Sequence, residues 1–305
     1  MKKKIEFLLP VYVRGMLMGI ADLIPGVSGG TMALITGIYE RLLGALSHLD
    51  KRAIRLLLKM DFKNFWQHID GNFLLSLFAG ILTSVFAFSK LIHYLLETYP
   101  VLVWSFFFGL IAASSIFIIR QTDYKKPLTL LAVVAGAIIA YWITNILPEE
   151  APDTMFYYFL SGMAASIAMI LPGISGSYIL VIMGSYLMVL ESVHELKILN
   201  LIVFTAGVAV GLIGFSKFLK WFFNKYRNFT LAVMGGFLIG SLHQVWPWKK
   251  VLLTKIINGK EIVIKSKAVM PWEFEGNNYL LVSLILIAMG FVVIYFFEKI
   301  QTKYA

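Results

Sequence analysis

The amino-acid sequence predicts an all-α, polytopic membrane protein that consists of two inverted-topology repeats. Three observations support this prediction: an apolar composition, a series of runs long enough to span a bilayer, and a Pro-Gly motif that occurs twice. Of the 305 residues, 59% are hydrophobic and only 14% are charged. Soluble domains are usually about 45–50% apolar and about 25% charged, so the bilayer is the expected solvent for this chain.

Six uncharged or nearly uncharged runs are long enough to cross about 30 Å of hydrocarbon. They cover residues 73–89, 101–119, 128–146, 200–219, 229–246 and 279–297. Two further apolar regions, 7–46 and 156–190, are each interrupted in the middle by Pro-Gly. We expect each of these two regions to form a re-entrant helical hairpin, which enters and leaves the membrane on the same side.

An internal repeat relates the two interrupted regions. Residues 15–40 and 162–187 are identical at 11 of 26 positions with a constant offset of 147, and both contain P-G-x-S-G. The similarity continues at an offset of 127, from Gly80 and Gly207 to Gly109 and Gly236. The sequence therefore predicts two halves, 1–150 and 151–305, each with one hairpin followed by three spans. An odd number of spans inverts the second half relative to the first.

The distribution of charge predicts the orientation. The net charge is +10, and most Lys and Arg residues lie between the apolar runs. Loops rich in Lys and Arg are usually cytoplasmic. Residues 47–70 carry five cations among apolar and aromatic residues, which is typical of an amphipathic helix in the headgroup plane. Both termini and this linker are then cytoplasmic, and the acidic segment 147–155 is external.

The segment 247–278 is a small insertion between two spans. Two runs of strand-forming residues flank Asn258-Gly259, so we expect a β-hairpin with its turn at these two residues. The orientation places the insertion outside the cytoplasm. Its six lysines disagree with the positive-inside rule at this one segment.

Each Pro-Gly region predicts a break between two half-helices, because proline ends the hydrogen-bond ladder and glycine relaxes the backbone. The second half-helix presents unpaired N–H groups and the positive end of its dipole, which suit a phosphate or a carboxylate. The alternative is a tight loop between packed helices. The candidate anion-binding residues are Gly26, Ser28, Gly29, Gly30 and Thr31 in the first half and Gly173, Ser175, Gly176 and Ser177 in the second half.

Charged residues inside the first hairpin are candidates for ion coupling. Asp22 lies in an apolar context, where a carboxylate is costly and is a functional candidate by default. The alternative is that Asp22 caps the next half-helix. For Glu40, followed at once by Arg41, the two interpretations are a local ion pair and a coupling carboxylate. We expect Arg14 to mark the cytoplasmic interface.

Lys90 and Lys217 occupy equivalent positions late in their spans. They either extend to opposite headgroup layers or serve as phosphate anchors, one in each leaflet. The five histidines have no metal-ligand spacing, and the chain has no cysteine. We expect no metal, no cofactor and no nucleic-acid partner.

The residues themselves therefore predict a transporter with hinges suited to an anion, because paired broken helices in inverted repeats are typical of transporters. Two alternatives stay open at this point. One is an ion-coupled transporter of a small anion, and the other is a membrane enzyme that acts on lipid phosphates. The sequence contains no HExxH motif and no paired-Asp motif of the kind such an enzyme would need.

The first motif also resembles a known family. The string A-D-L-I-P-G-V-S-G-G-T at Ala21–Thr31, continued by Gly37–Arg41, is similar to the signature of the PopT-type polyprenyl-phosphate transporters, formerly a domain-of-unknown-function family. The second motif, Leu171–Ser177, fits as well. The resemblance implies a protein of the bacterial cytoplasmic membrane that returns undecaprenyl phosphate from the outer to the inner leaflet, where this carrier lipid serves cell-envelope synthesis. The implied partner is an anionic polyprenyl phospholipid, with proton or cation coupling as a further expectation.

Overall fold

The computed structural model describes residues 2–146, 151–257 and 260–304 of the chain. It is mostly helical with one two-stranded sheet, as the sequence predicts. The first half contains α1 (Lys2–Asp22), α2 (Gly29–Ile35), α3 (Tyr39–Ser47), α4 (Lys51–Leu58), α5 (Phe62–His68), α6 (Gly71–Thr98), α7 (Pro100–Arg120) and α8 (Pro127–Ile143). The second contains α9 (Met155–Ile170), α10 (Gly176–Ile182), α11 (Tyr186–His194), α12 (Ile198–Ser241), β1 (Lys249–Ile257), β2 (Lys260–Ala268) and α13 (Leu280–Tyr304).

The helix boundaries recur at the offsets found in the sequence. Helices α10 and α11 begin and end 147 residues after α2 and α3, and α12 begins 127 residues after α6. The motif glycines share the left-handed backbone conformation, with φ of +79° at Gly26 and +83° at Gly173. Glycine adopts this conformation without the steric cost that a Cβ atom adds. The two broken hairpins therefore have the same local structure.

One predicted boundary between spans is different in the structure. The predicted run 200–219 and most of the run 229–246 belong to the single long helix α12, which is broken at Tyr226 with φ −135° and ψ 48°. Tyr99, 127 residues earlier, has nearly the same dihedral angles, φ −132° and ψ 50°, and there the chain divides into α6 and α7. The same bend thus occurs in both halves. Pro100 follows it in the first half, whereas Arg227 in the second half retains its N–H group.

Within the described residues, four helices are long and apolar enough to cross a membrane: α6, α7, α12 with the turn after it, and α13. Helices α8 and α9 are apolar but shorter, with 17 and 16 residues. Helices α10 and α11 pass the same test as a pair but are bent by 106°. These helices fit a multi-pass membrane protein in which several segments do not cross as straight spans.

Glycines allow close packing within each half. A Cβ atom at Gly15 of α1 would lie 2.2 Å from the carbonyl oxygen of Leu77 on α6, and the repeated pair, Gly162 and Phe204, has the same distance. Such close approach between helices is typical of membrane proteins. Helices α1 and α6 run in the same direction, because Ser76 bonds to Leu8 while Ser84 lies against Gly19. The chain between these two helices therefore turns back to the level at which α1 begins.

The last helix of each half packs against the other half. Gly109 of α7 lies against Ile287 of α13, and its repeat counterpart, Gly236 of α12, lies against Val133 of α8. The two halves are therefore interlocked rather than arranged as two separate domains.

The basic linker forms two short helices rather than the single amphipathic helix that the sequence predicts. The side chain of Asp61 accepts a hydrogen bond from the backbone N–H of Asn64 and begins α5. Met60, just before it, has a left-handed φ of +55°, which ends α4. Leu58 and Met60 are 81% and 71% exposed. The linker thus keeps the exposed apolar side chains expected of a segment at a membrane surface.

The insertion contains the predicted hairpin. Strands β1 and β2 pair antiparallel, with Lys249 opposite Ala268 and Ile257 opposite Lys260. The predicted turn residues, Asn258 and Gly259, lie outside the described residues.

Candidate functional site

The first hinge, residues 22–31, is capped by its own side chains. The Asp22 carboxylate accepts a hydrogen bond of 2.6 Å from the N–H of Gly29. The Ser28 hydroxyl accepts one of 3.1 Å from the N–H of Gly30. Both N–H groups belong to the predicted anion site, and in this conformation the protein itself satisfies them. Asp22 therefore caps α2 in this conformation, and its role in ion coupling stays a prediction.

Asp22 nevertheless remains accessible. Its side chain is exposed, whereas all seven residues of α2 behind it are buried. A carboxylate thus occupies the position at which the sequence predicts a substrate phosphate. A substrate anion can bind these N–H groups only after Asp22 moves away or loses its charge.

The second hinge, residues 169–178, has different chemistry. Met169 occupies the position of Asp22, so no carboxylate caps α10 at this point. The Ser175 side chain makes no capping bond to the helix, and its hydroxyl pairs instead with that of Ser177 at 2.8 Å. Ser177 is exposed. The second hinge therefore has two hydroxyl groups beside the positive end of a half-helix, that of the buried Ser175 and that of the exposed Ser177.

Three side chains of the first hairpin hold the second hinge. The Thr31 hydroxyl accepts a hydrogen bond of 2.9 Å from the N–H of Gly173. The Ser28 hydroxyl donates to the carbonyl of Met169 at 3.3 Å, and the Tyr39 hydroxyl donates to that of Ile170 at 2.8 Å. These carbonyls end α9, where the helix itself supplies no partners. The first hairpin therefore acts as a support for the second.

Two further residues contact the hinges without being among the predicted site residues: Tyr39 and Gln244. Tyr39 is identical to Tyr186 in the repeat, which was a usable signal. Gln244 belongs to no motif, yet a Cβ atom at Gly26 would lie 3.7 Å from its amide oxygen. Only the three-dimensional fold brings Gln244 to the first hinge.

The predicted ion pair between Glu40 and Arg41 is wrong. Glu40 pairs with Arg227 of α12 at 2.8 Å. Arg41 pairs with Asp70 at 2.7 Å, and its guanidinium also lies 4.3 Å from the centre of the Phe73 ring. Adjacent side chains on a helix point in different directions, so each finds a partner on another segment.

The predicted phosphate anchors lie outside the hinge contacts. Lys90 on α6 and Lys217 on α12 are both exposed, and within the described residues neither forms an ion pair. Their role as anchors stays a prediction.

Comparison with known proteins identifies the family. The family described as VCA0040-like, undecaprenyl phosphate translocase-like, matches residues 18–263. A polyprenyl-phosphate transporter of Vibrio cholerae serotype O1 is 39% identical over 300 residues, which cover 97% of each chain. A polyprenyl-phosphate transporter of Staphylococcus aureus is 34% identical over 253 residues, 77% of this chain and 85% of the relative.

No solved structure matches the chain. The family match covers both hinges and most of the helices described above. The chain therefore belongs to the undecaprenyl phosphate translocase-like family.

Proposed function

We propose that this protein translocates undecaprenyl phosphate, or a related polyprenyl phosphate, from the outer to the inner leaflet of the bacterial cytoplasmic membrane. Such transport returns the carrier lipid for cell-envelope synthesis. The observation that carries the proposal is the contact between two related broken hairpins, where Thr31 accepts a hydrogen bond from Gly173. Broken helices that meet inside inverted repeats are the usual substrate sites of transporters. The names of the two relatives supply the substrate class.

The packing supports an inverted arrangement of the two halves. Helix α1 runs parallel to α6, and α9 runs parallel to α12, since Gly207 lies against Phe159 and Gly211 against Ser166. In this proposal, each hairpin returns to the side of the membrane from which it starts. With the basic linker and Arg227 in the cytoplasm, both termini are cytoplasmic, the second hairpin opens outward and the insertion lies outside.

The headgroup in this account passes between the two hinges while the isoprenoid tail stays in lipid. The second hinge receives the phosphate in the described conformation, because Ser175 and Ser177 supply hydroxyl donors there and no carboxylate competes. The first hinge binds the phosphate only when Asp22 releases the N–H of Gly29. The two hinges thus bind the same phosphate in alternation.

This competition gives Asp22 a role in coupling. A proton on the carboxylate removes its charge and weakens its hydrogen bond to Gly29, because bonds to ionised groups are roughly twice as strong as neutral ones. The phosphate then replaces Asp22 at the first hinge. We therefore expect the flipping rate of the wild-type protein to depend on a pH gradient and that of the Asp22→Asn variant to be independent of it.

The hinge hydroxyls are suited to binding rather than to covalent chemistry. A serine nucleophile needs an adjacent base to accept its proton. The hydroxyl partner of Ser175 is another hydroxyl, that of Ser177. Ser28 contacts the carbonyl of Met169 and the N–H of Gly30. These partners favour a transporter over an enzyme that cleaves a phosphate ester.

The test is flipping of a fluorescent polyprenyl phosphate in proteoliposomes. We expect the wild-type protein to flip this lipid and to leave labelled phosphatidylcholine in place. The double variant Ser175→Ala, Ser177→Ala loses two hydrogen bonds to a charged group, so flipping falls at least about tenfold. Its heat stability stays close to wild type, because the two hydroxyls bond mainly to each other.

Three outcomes contradict the proposal. Uptake of a small anion without lipid flipping favours an ion-coupled anion transporter. Release of inorganic phosphate from the lipid favours an enzyme. Unchanged flipping in the double variant removes the second hinge as the headgroup site.

A further inference from the structure

The structure contains a second place suited to a lipid phosphate, at the opposite end of α2 from the hinge. A cavity of about 330 Å³ lies between α1, the end of α2 and α13. Apolar side chains form most of its wall, and Arg14 and Thr36 are its polar members; the apolar side chains include those of Leu9, Val13, Leu17 and Phe297. Leu9 and Val13 are 59% and 47% exposed, so the cavity opens onto the outer surface of the helices.

Arg14 is the feature of this cavity that needs a partner. Within the described part of the chain it is only partly exposed, and it has no hydrogen bond or ion pair. The Asp70 carboxylate pairs with Arg41, at 2.7 Å, and not with Arg14. An unpaired guanidinium in a mostly apolar cavity favours a bound anion.

The shape and chemistry of the cavity select among anions. Its volume is at the lower end of the range of about 300–1,000 Å³ for ligand pockets. A small soluble anion would leave the apolar wall uncovered, whereas a phosphomonoester with an alkyl tail covers both parts. The tail leaves through the exposed side, past Leu9 and Val13.

The second half lacks this arrangement at the equivalent positions. Ser161 takes the place of Arg14, and its hydroxyl is fully buried without a hydrogen-bond partner among the described residues. Tyr157, at the position of Pro10, donates a hydrogen bond of 2.7 Å to the carbonyl of Met183, at the position of Thr36. In the second half, Tyr157 therefore joins the two segments whose counterparts border the cavity in the first half.

We propose that the Arg14 cavity binds the phosphate of an isoprenoid phosphomonoester on the side of the membrane where α1 begins. This inference rests on the proposed function and extends it, since the orientation given above makes this side cytoplasmic. The cavity is then where the headgroup rests after it leaves the first hinge. The repeat is asymmetric here, so the lipid phosphate has an arginine partner on one side of the protein only.

The absence of cysteine from the chain allows a local test. Leu9→Cys places a single thiol at the mouth of the cavity, and its rate of labelling by N-ethylmaleimide is measured on the full-length protein in detergent. The probes are farnesyl phosphate, farnesol and inorganic phosphate. We expect farnesyl phosphate at ten times its Kd to slow labelling about tenfold, and the other two probes at the same concentration to have little effect.

Arg14→Gln in the Leu9→Cys background isolates the guanidinium. We expect the protecting concentration of farnesyl phosphate to rise about tenfold or more, because a hydrogen bond to a charged group is lost. Arg14→Lys retains the charge but not the planar guanidinium group, so we expect a smaller rise in the protecting concentration. Arg52→Gln, an exposed arginine on α4, is the matched control and keeps full protection. Val13→Trp fills the cavity from an exposed position and removes protection without removing the charge.

Unchanged protection in Arg14→Gln, or equal protection by farnesol or by inorganic phosphate, overturns this inference. The flipping assay separates this failure from that of the proposed function. If the wild-type protein and the Arg14→Gln variant flip polyprenyl phosphate at the same rate, only the proposed Arg14 site is contradicted. A wild-type protein that flips no polyprenyl phosphate contradicts the proposed function itself.

Discussion

The two broken hairpins have almost the same backbone but opposite environments. All seven residues of α2 are buried, whereas of α10 only Gly176 is buried. In the first hinge, Asp22 and Ser28 satisfy the N–H groups of Gly29 and Gly30. In the second hinge, Met169 replaces the carboxylate and the Ser175 hydroxyl turns to Ser177. The two copies of the motif thus differ in their surroundings, with the first copy buried and capped by its own side chains and the second copy mostly unburied.

The difference arises from a few side chains. Three residues of the first hairpin, Ser28, Thr31 and Tyr39, bond to the end of α9 and to Gly173. Tyr178, the counterpart of Thr31, donates instead to the carbonyl of Thr144, at 2.6 Å. The short side chain of Thr31 therefore joins the two hinges, whereas the long side chain of Tyr178 bonds to a residue outside them.

The largest expected effect is that of Gly30→Ala. A Cβ atom at Gly30 would lie 2.7 Å from the carbonyl oxygen of Met169 and 2.8 Å from that of Ile170, so the hinges must separate. We expect a loss of about 3 kcal/mol or more in the free energy of unfolding, the upper end of the usual range for overpacking, measured by chemical denaturation in detergent micelles. Gly214→Ala is the control, since no atom lies within 4 Å of the added Cβ atom. Ser177→Ala, at the equivalent position of the exposed second hinge, also retains stability.

A smaller effect is expected for Thr31→Val. It leaves the buried N–H of Gly173 without its acceptor, which costs about 1–3 kcal/mol. Tyr178→Phe is the matching change in the second hinge, and we expect a loss of about 0.5–1.5 kcal/mol, because only an ordinary hydrogen bond is removed. Denaturant midpoints of the two variants test the order. Equal losses would show that the two hinges are equally important for stability.

The third prediction transfers the carboxylate to the second hinge. Met169→Asp places an anion beside Gly176, as Asp22 lies beside Gly29. The new carboxylate competes with a phosphate at the second hinge, so we expect flipping of polyprenyl phosphate to fall about tenfold, an effect near 1.4 kcal/mol. Met169→Asn is the uncharged control of nearly the same size. If both variants flip equally slowly, lost packing rather than charge explains the effect.

The smallest effect is expected for the ion pair between Glu40 and Arg227. Both side chains are more than half exposed, and such pairs contribute about 0.2–1 kcal/mol. Glu40→Gln and Arg227→Gln should each have a small effect on stability, and the charge-swapped double variant Glu40→Arg, Arg227→Glu should restore it. A loss of flipping in Glu40→Gln at unchanged stability would instead support Glu40 as a coupling residue.

Much of the fold follows from local sequence features. The Pro-Gly motifs predicted both helix breaks, because proline and glycine act on the backbone at their own positions. The Asn-Gly dipeptide predicted the two paired strands around it. The break within α12 was harder to place, since Tyr226 is an ordinary residue whose unusual backbone angles depend on tertiary packing.

The site was less predictable than the fold. The sequence indicated donors at both hinges, yet Asp22 and Ser28 occupy those of the first hinge, and this depends on side-chain geometry. The partners of Glu40 and Arg41 are distant in the sequence, so spacing alone suggested the wrong pair. The cavity beside Arg14 could not be predicted from the sequence, because only the fold brings α13 beside this residue.

Thiol labelling of the two hinges tests the central claim most directly, namely that the second hinge is the open site for the headgroup. Ser177→Cys and Thr31→Cys are compared in sealed proteoliposomes with a membrane-impermeant maleimide applied to the external face. We predict that the thiol at position 177 is labelled and that farnesyl phosphate slows its labelling, whereas the thiol at position 31 stays unlabelled. Labelling at position 31, or labelling at 177 that farnesyl phosphate leaves unchanged, would contradict the account.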